Sequence, residues 1–174
     1  MDITRTMTSV AAATVASALI PLGPATAAQP ESFGPFTDTY SFTVDCGDFT
    51  ALVEGKYTFR EKVYYDADGE LDRWVQFIRA PRDHWTDTTT GKQITVRGIF
   101  QQTYTPTPDG QAVTVSIRGF RYLVNEPGNG VTITEVGKIV YDDLDETTAI
   151  FQAGQHDLAD PALIEPTFCD ALSS

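Results

Sequence analysis

Clusters of Gly, Pro, Asp and Asn punctuate this chain at short intervals, leaving room for strands but not for long helices. Asp66-Ala67-Asp68-Gly69, Thr89-Thr90-Gly91-Lys92, Pro106-Thr107-Pro108-Asp109-Gly110 and Glu126-Pro127-Gly128-Asn129-Gly130 each supply residues that fix φ or tolerate positive φ. The runs between them are rich in β-branched and aromatic residues, the pattern of an all-β domain. Strands are expected over 37–45, 49–55, 57–65, 70–79, 84–88, 93–104, 112–124, 131–141 and 147–153. Short loops between successive strands make an antiparallel meander. Eight or nine such strands close most simply into an up-and-down barrel, with a two-sheet β-sandwich as the alternative. One helical turn is expected at Phe168-Cys169-Asp170-Ala171-Leu172.

Alternation assigns the buried face. If Asp66 to Glu70 form a hairpin loop with Gly69 left-handed, Tyr65 opposes Leu71, Val63 opposes Arg73, Glu61 opposes Val75 and Phe59 opposes Phe77. The strand from Gln93 places Ile94, Val96, Gly98, Phe100 and Tyr104 on one side. The next begins in phase with Val113, Val115 and Ile117, then switches to Phe120, Tyr122 and Val124. That switch needs one extra residue, and Gly119 is the natural place for a β-bulge. Across the following turn, Val124 is expected to meet Val131, and Tyr122 to meet Ile133.

The N-terminal segment reads as an address. Arg5 precedes an uncharged run from Met7 to Ile20, Pro21 and Pro24 follow, and Ala25-Thr26-Ala27 is a small-x-small cleavage site. A signal peptide over 1–27 leaves a flexible arm over 28–36 and one β-domain over 37–174. No later run reaches the roughly 20 apolar residues needed to span a bilayer, so a soluble extracellular product is expected. The two cysteines, Cys46 and Cys169, have one possible pairing, and an exported chain is expected to oxidise them. The net charge of −12 argues against nucleic acid and anionic membrane surfaces as partners.

The Ala-rich leader, Cys46-Gly47-Asp48-Phe49, the meander with its Asp/Gly turn and the terminal Cys169-Asp170-Ala171-Leu172 resemble a group of small uncharacterised secreted proteins from actinobacteria. The resemblance spans most of the mature domain. It implies an extracellular β-domain and carries no activity with it.

Motifs that specify chemistry are missing. The sequence has no Gly-x-Ser-x-Gly elbow, His-Glu-x-x-His helix or phosphate-binding Gly loop, so no catalytic residue, metal ligand or cofactor is assigned. His84, in a short strand, and His156, in a loop, read as surface or edge residues. Asp66-Ala67-Asp68-Gly69-Glu70 lacks the offsets of a calcium loop, and Asp142-Asp143-Leu144-Asp145-Glu146 reads as a solvated acidic loop.

The expected buried face holds a few polar residues: Glu61, Arg73, Arg79, Gln102 and Glu135. Buried charges need partners, and Glu61 and Arg73 are diagonal neighbours in the expected hairpin. With Tyr57, Tyr65, Phe77, Phe100 and Tyr104 they would line a small-ligand pocket, apolar with a few convergent polar groups. The ligand-binding set is therefore Glu61, Arg73, Gln102, Glu135, Tyr57 and Tyr104. The leading reading is a barrel that binds a small apolar or amphipathic ligand. The alternatives are an extracellular interaction or carbohydrate-binding protein, using Trp74, Trp85 or Tyr64, and a cofactor-free barrel enzyme using Glu61.

Overall fold

The computed structural model describes residues 29–173. The expected signal peptide at 1–27 lies outside them. Seven antiparallel strands follow in sequence order: β1 (Glu31–Asp45), β2 (Thr50–Tyr65), β3 (Leu71–Asp87), β4 (Gln93–Pro106), β5 (Val113–Glu126), β6 (Gly130–Tyr141) and β7 (Ala149–His156). They form one sheet in the order β1-β2-β3-β4-β5-β6-β7, a meander in which each strand pairs with its sequence neighbours. All four turn clusters join strands as expected. In the first, Asp66 Oδ1 accepts from the amides of Asp68 and Glu70, so turn geometry accounts for that acid.

The strand count and closure differ from expectation. The expected segments 49–55 and 57–65 are one strand, β2, and 70–79 and 84–88 are one strand, β3. The apparent break in β3 is Pro81, which would disrupt a regular ladder. It is accommodated where the β3–β4 register shifts between Ala80 and Asp83, so the strand continues through a bulge. β1 begins at Glu31, ahead of the expected 37. The sheet is not closed into a barrel, because no ladder joins β1 to β7 among the described residues.

A C-terminal helix completes the core instead. A 3-10 turn (Pro161–Leu163) leads into α1 (Ile164–Ser173), a ten-residue helix where one turn was expected. Asp160 caps this segment by accepting from the Ala162 amide, with Pro161 in the first turn. Ile164, Phe168, Ala171 and Leu172 recur at helical spacing and form its packing face. Lys92 Nζ donates to the Ala171 carbonyl at 2.9 Å, holding the last turn against the β3–β4 loop.

Two apolar clusters line the same face of the sheet. The larger joins Val44, Ala51, Val53, Trp85, Ile94, Val96, Val124 and Ile133 to Phe168 and Leu172 of α1. The smaller contains Val115, Ile117, Ile139 and Tyr141, with Phe100 and Tyr104 against it. Between the clusters, Gly119, Gly137 and Gly154 lie side by side on β5, β6 and β7, all with φ near +130°. A Cβ on Gly137 would lie 2.1 Å from the Ala153 carbonyl oxygen. Only glycine permits this approach, and the line of three brings neighbouring backbones close across the sheet.

Cys46, just after β1, is disulfide-bonded to Cys169 of α1, with Cα atoms 5.5 Å apart. The bridge ties the edge strand to the helix that fills the inner face. Among the described residues, no helix is long and apolar enough to cross a membrane.

Bulges correct several face assignments. Asp72 is an extra residue in the β2–β3 ladder, so Tyr65 opposes Leu71 as expected, but Glu61 opposes Gln76 and Tyr64 opposes Arg73. Arg73 and Phe77 therefore point to the outer face. In β5 the extra residue is Arg121 rather than one at Gly119, which sends Phe120 outward opposite Ile99. A further shift pairs Val124 with Ile133 and Asn125 with Val131.

Candidate functional site

The inner face has a gap beside α1. Tyr40, Gly55, Asp83, Val96 and Val124 form one cross-strand row running from β1 to β5. Gly55 has no side chain, and the Tyr40 ring and Asp83 carboxylate occupy the space it leaves: a Cβ there would lie 2.4 Å from Asp83 Oδ1 and from the Tyr40 hydroxyl. The resulting cleft holds about 360 Å³. Phe42, Val53, Trp85 and Tyr122 line its sheet side, and Ile164, Glu165 and Phe168 its helix side. Phe168 fixes the wall by meeting Trp85 edge-on at 4.9 Å and Tyr122 at 5.8 Å between ring centroids.

An aromatic strip leads into this cleft along the β1–β2 hairpin. Tyr40 stacks on Phe42 and touches Tyr57, Tyr57 stacks on Phe59, and Phe59 packs on Phe36 at 5.2 Å. Phe36 and Phe42 remain exposed, so the strip is open to solvent at the sheet edge.

Asp83 is the polar centre of the cleft. Burial pushes its carboxyl above the ordinary aspartate range, against the opposing pull of the Tyr40 hydroxyl and the Lys56 backbone. Burial and the Asp83 carboxylate together push the Tyr40 phenol far above its usual value. Asp83 Oδ1 is buried with no hydrogen-bond partner among the described residues. Such an acceptor costs stability unless something donates to it. The arrangement offers an apolar wall, an aromatic approach and a carboxylate that the Tyr40 hydroxyl and Lys56 backbone already engage, with its Oδ1 left without a partner.

The residues expected to bind ligand fall in four places. Glu61 Oε1 accepts from Gln76 Nε2 at 2.8 Å, and the Tyr104 hydroxyl donates to Gln76 Oε1 at 3.4 Å while its ring stacks on Trp74. Gln102 donates to Glu146 Oε1 at 2.8 Å, and Glu146 also pairs with Arg121. These residues share the inner face at the end away from the cleft. Glu135 is buried elsewhere, where it accepts from the Leu158 amide and pairs with His156. Its oxygens hold the chain where it leaves β7. Tyr57 belongs to the aromatic strip. Arg73 joins none of these, since it lies on the opposite face over the Tyr64 ring and beside Asp72. Arg79, opposite Ile99, also faces outward.

The sequence reading passed over Asp83 and Tyr40. Asp83 sat in the supposed gap after Pro81 and so received no face. Continuing the alternation back from Trp85 puts an acid on the apolar side, and that signal was present. Glu146 was likewise read as solvated, yet it turns inward at φ 57° to neutralise Arg121. No protein-family model, curated protein or solved structure matches the chain.

Proposed function

We propose that this is an exported protein that holds a small amphipathic ligand between the sheet and α1. The observation that carries the reading is the unpartnered Asp83 Oδ1 at the base of an apolar cleft. A cleft of about 360 Å³ is within the roughly 300–1,000 Å³ typical of small-ligand sites. The apolar part of the ligand rests on Trp85, Tyr122 and Phe168, and a hydroxyl, amide or ammonium group donates to Asp83. The binding role expected of a barrel interior thus moves to the space covered by the helix. Export and kinship with the small secreted actinobacterial proteins belong to the same proposal, supported by the leader sequence and the Cys46–Cys169 bridge.

A second reading is catalysis, favoured by the raised Asp83 carboxyl, since acid–base groups in clefts are tuned in this way. Binding stands first because Tyr40, held protonated, offers no complementary base. Native mass spectrometry of the protein purified from its culture medium tests the binding reading. A small-molecule adduct is expected on the native protein and absent from folded Asp83→Asn and Gly55→Ala variants. An adduct that persists in both variants, or an unliganded mass throughout, overturns it.

A further inference from the structure

The outer face of the sheet has a charge opposite to that of the molecule. The net charge is −12, yet most of the twelve lysines and arginines project from this one face. Arg60, Lys62, Arg79, Arg97, Arg118 and Lys138 surround its middle, and Lys56, Arg73 and Arg82 extend it. Among the described residues only Arg73 of these is in an ion pair, with Asp72. Two like-charged pairs stand directly opposite each other across strands, Arg118 with Lys138 and Lys56 with Arg82. Such pairs destabilise a sheet. An anionic partner would relieve that repulsion.

The centre of this face is apolar. Ile99, Phe120 and Val136 lie side by side on β4, β5 and β6, with Phe77 diagonal to Ile99. Phe77 is 43% exposed, Ile99 47% and Val136 37%, so large apolar side chains meet water inside a ring of cations. A hydrated polyanion would satisfy the ring and leave the centre wet. A bilayer interface supplies both anionic headgroups and an apolar boundary.

We infer that the outer face docks on a membrane surface rich in anionic lipids, with the cations on headgroups and Phe77 and Ile99 dipping below them. The overall acidity then orients the molecule, turning the acidic remainder away from the surface. The inference is independent of the Asp83 cleft, which opens on the other face.

Sedimentation with vesicles tests it, using the full chain and either equal parts phosphatidylglycerol and phosphatidylcholine or phosphatidylcholine alone. Binding to the anionic vesicles is expected at low salt, weakening as salt rises. The triple variant Arg60→Glu, Arg118→Glu, Lys138→Glu should lose about tenfold or more in affinity. The double variant Phe77→Ser, Ile99→Ser, which keeps every cation, should lose affinity too. Circular dichroism confirms that both variants fold. No binding at low salt overturns the inference. Equal binding to neutral vesicles, or by the charge-reversed variant, also overturns it and assigns the effect to the apolar leader. Binding that is salt-sensitive, blocked by polyglutamate and indifferent to the serine substitutions points to a polyanion instead. A protein that self-associates through this face and ignores vesicles has a second copy as its occupant.

Discussion

Asp83 concentrates the tension at the level of single residues. Its folded carboxyl titrates above the ordinary aspartate range because it is buried. The folded state thus binds the proton more tightly than the unfolded chain. That contribution is fully present below the unfolded pKa and is lost as pH rises through the folded one. Asn at this position does not titrate. Asp83→Asn is therefore expected to melt at a higher temperature than the native protein at neutral pH, and the gap should close near pH 3. Asp87, held low by the Thr90 hydroxyl, loses its own contribution on acidification, but equally in both proteins. Thermal denaturation at several pH values checks this, and a gap that does not change with pH would contradict the burial of Asp83. At this scale the sequence was least readable. Glu61, Gln102, Tyr57 and Tyr104 were placed on the correct face by alternation, whereas Arg73 was misplaced by one extra residue, Asp72. Shifting a register by one residue reverses every side chain beyond it.

Among the elements, α1 has the most to do. It supplies one wall of the cleft, carries half of the disulfide and buries Phe168 and Leu172 against the sheet. Phe168 is 1% exposed and touches both Trp85 and Tyr122. Phe168→Ala is expected to cost about 3–5 kcal/mol, measured by urea denaturation, and to open the cleft to water. A cost below about 1 kcal/mol would mean that the helix is not seated as described. Elements were more legible than residues, because turns announce themselves through Gly, Pro and Asp while bulges have no comparable signature. All four turn clusters are turns. Lys56 and Pro81 looked like gaps between strands and instead lie at register shifts within long ones. The helix was underestimated because its apolar positions are few and Pro166 interrupts the pattern.

The whole molecule is held at its ends by Cys46–Cys169, which closes 123 residues of chain. In the chain-entropy model a loop of that size is worth on the order of 4–5 kcal/mol, so reduction should lower the melting temperature markedly. Calorimetry with and without reductant reads this, and an unchanged midpoint would mean that α1 stays docked without its tether. Composition announced the all-β class and the bridge, since two cysteines allow one pairing. On partners it carries less, because a net charge averages over faces, and here the cations concentrate on one side of the sheet. Closure was overestimated for a similar reason: alternation identifies a buried face without saying what covers it. The glycine line through Gly119, Gly137 and Gly154 bears on how this covered sheet behaves as a unit. β5 and β6 run without interruption from one apolar cluster to the other, but no side chain from these three positions bridges the clusters. The two bodies are joined by bare backbone at these positions and by polar contacts beyond it, such as the Tyr141 hydroxyl donating to the Ala159 carbonyl next to Leu158, like two rooms sharing a corridor. Substitutions around the Asp83 cleft in the larger room are expected to be felt less in the smaller room than in their own.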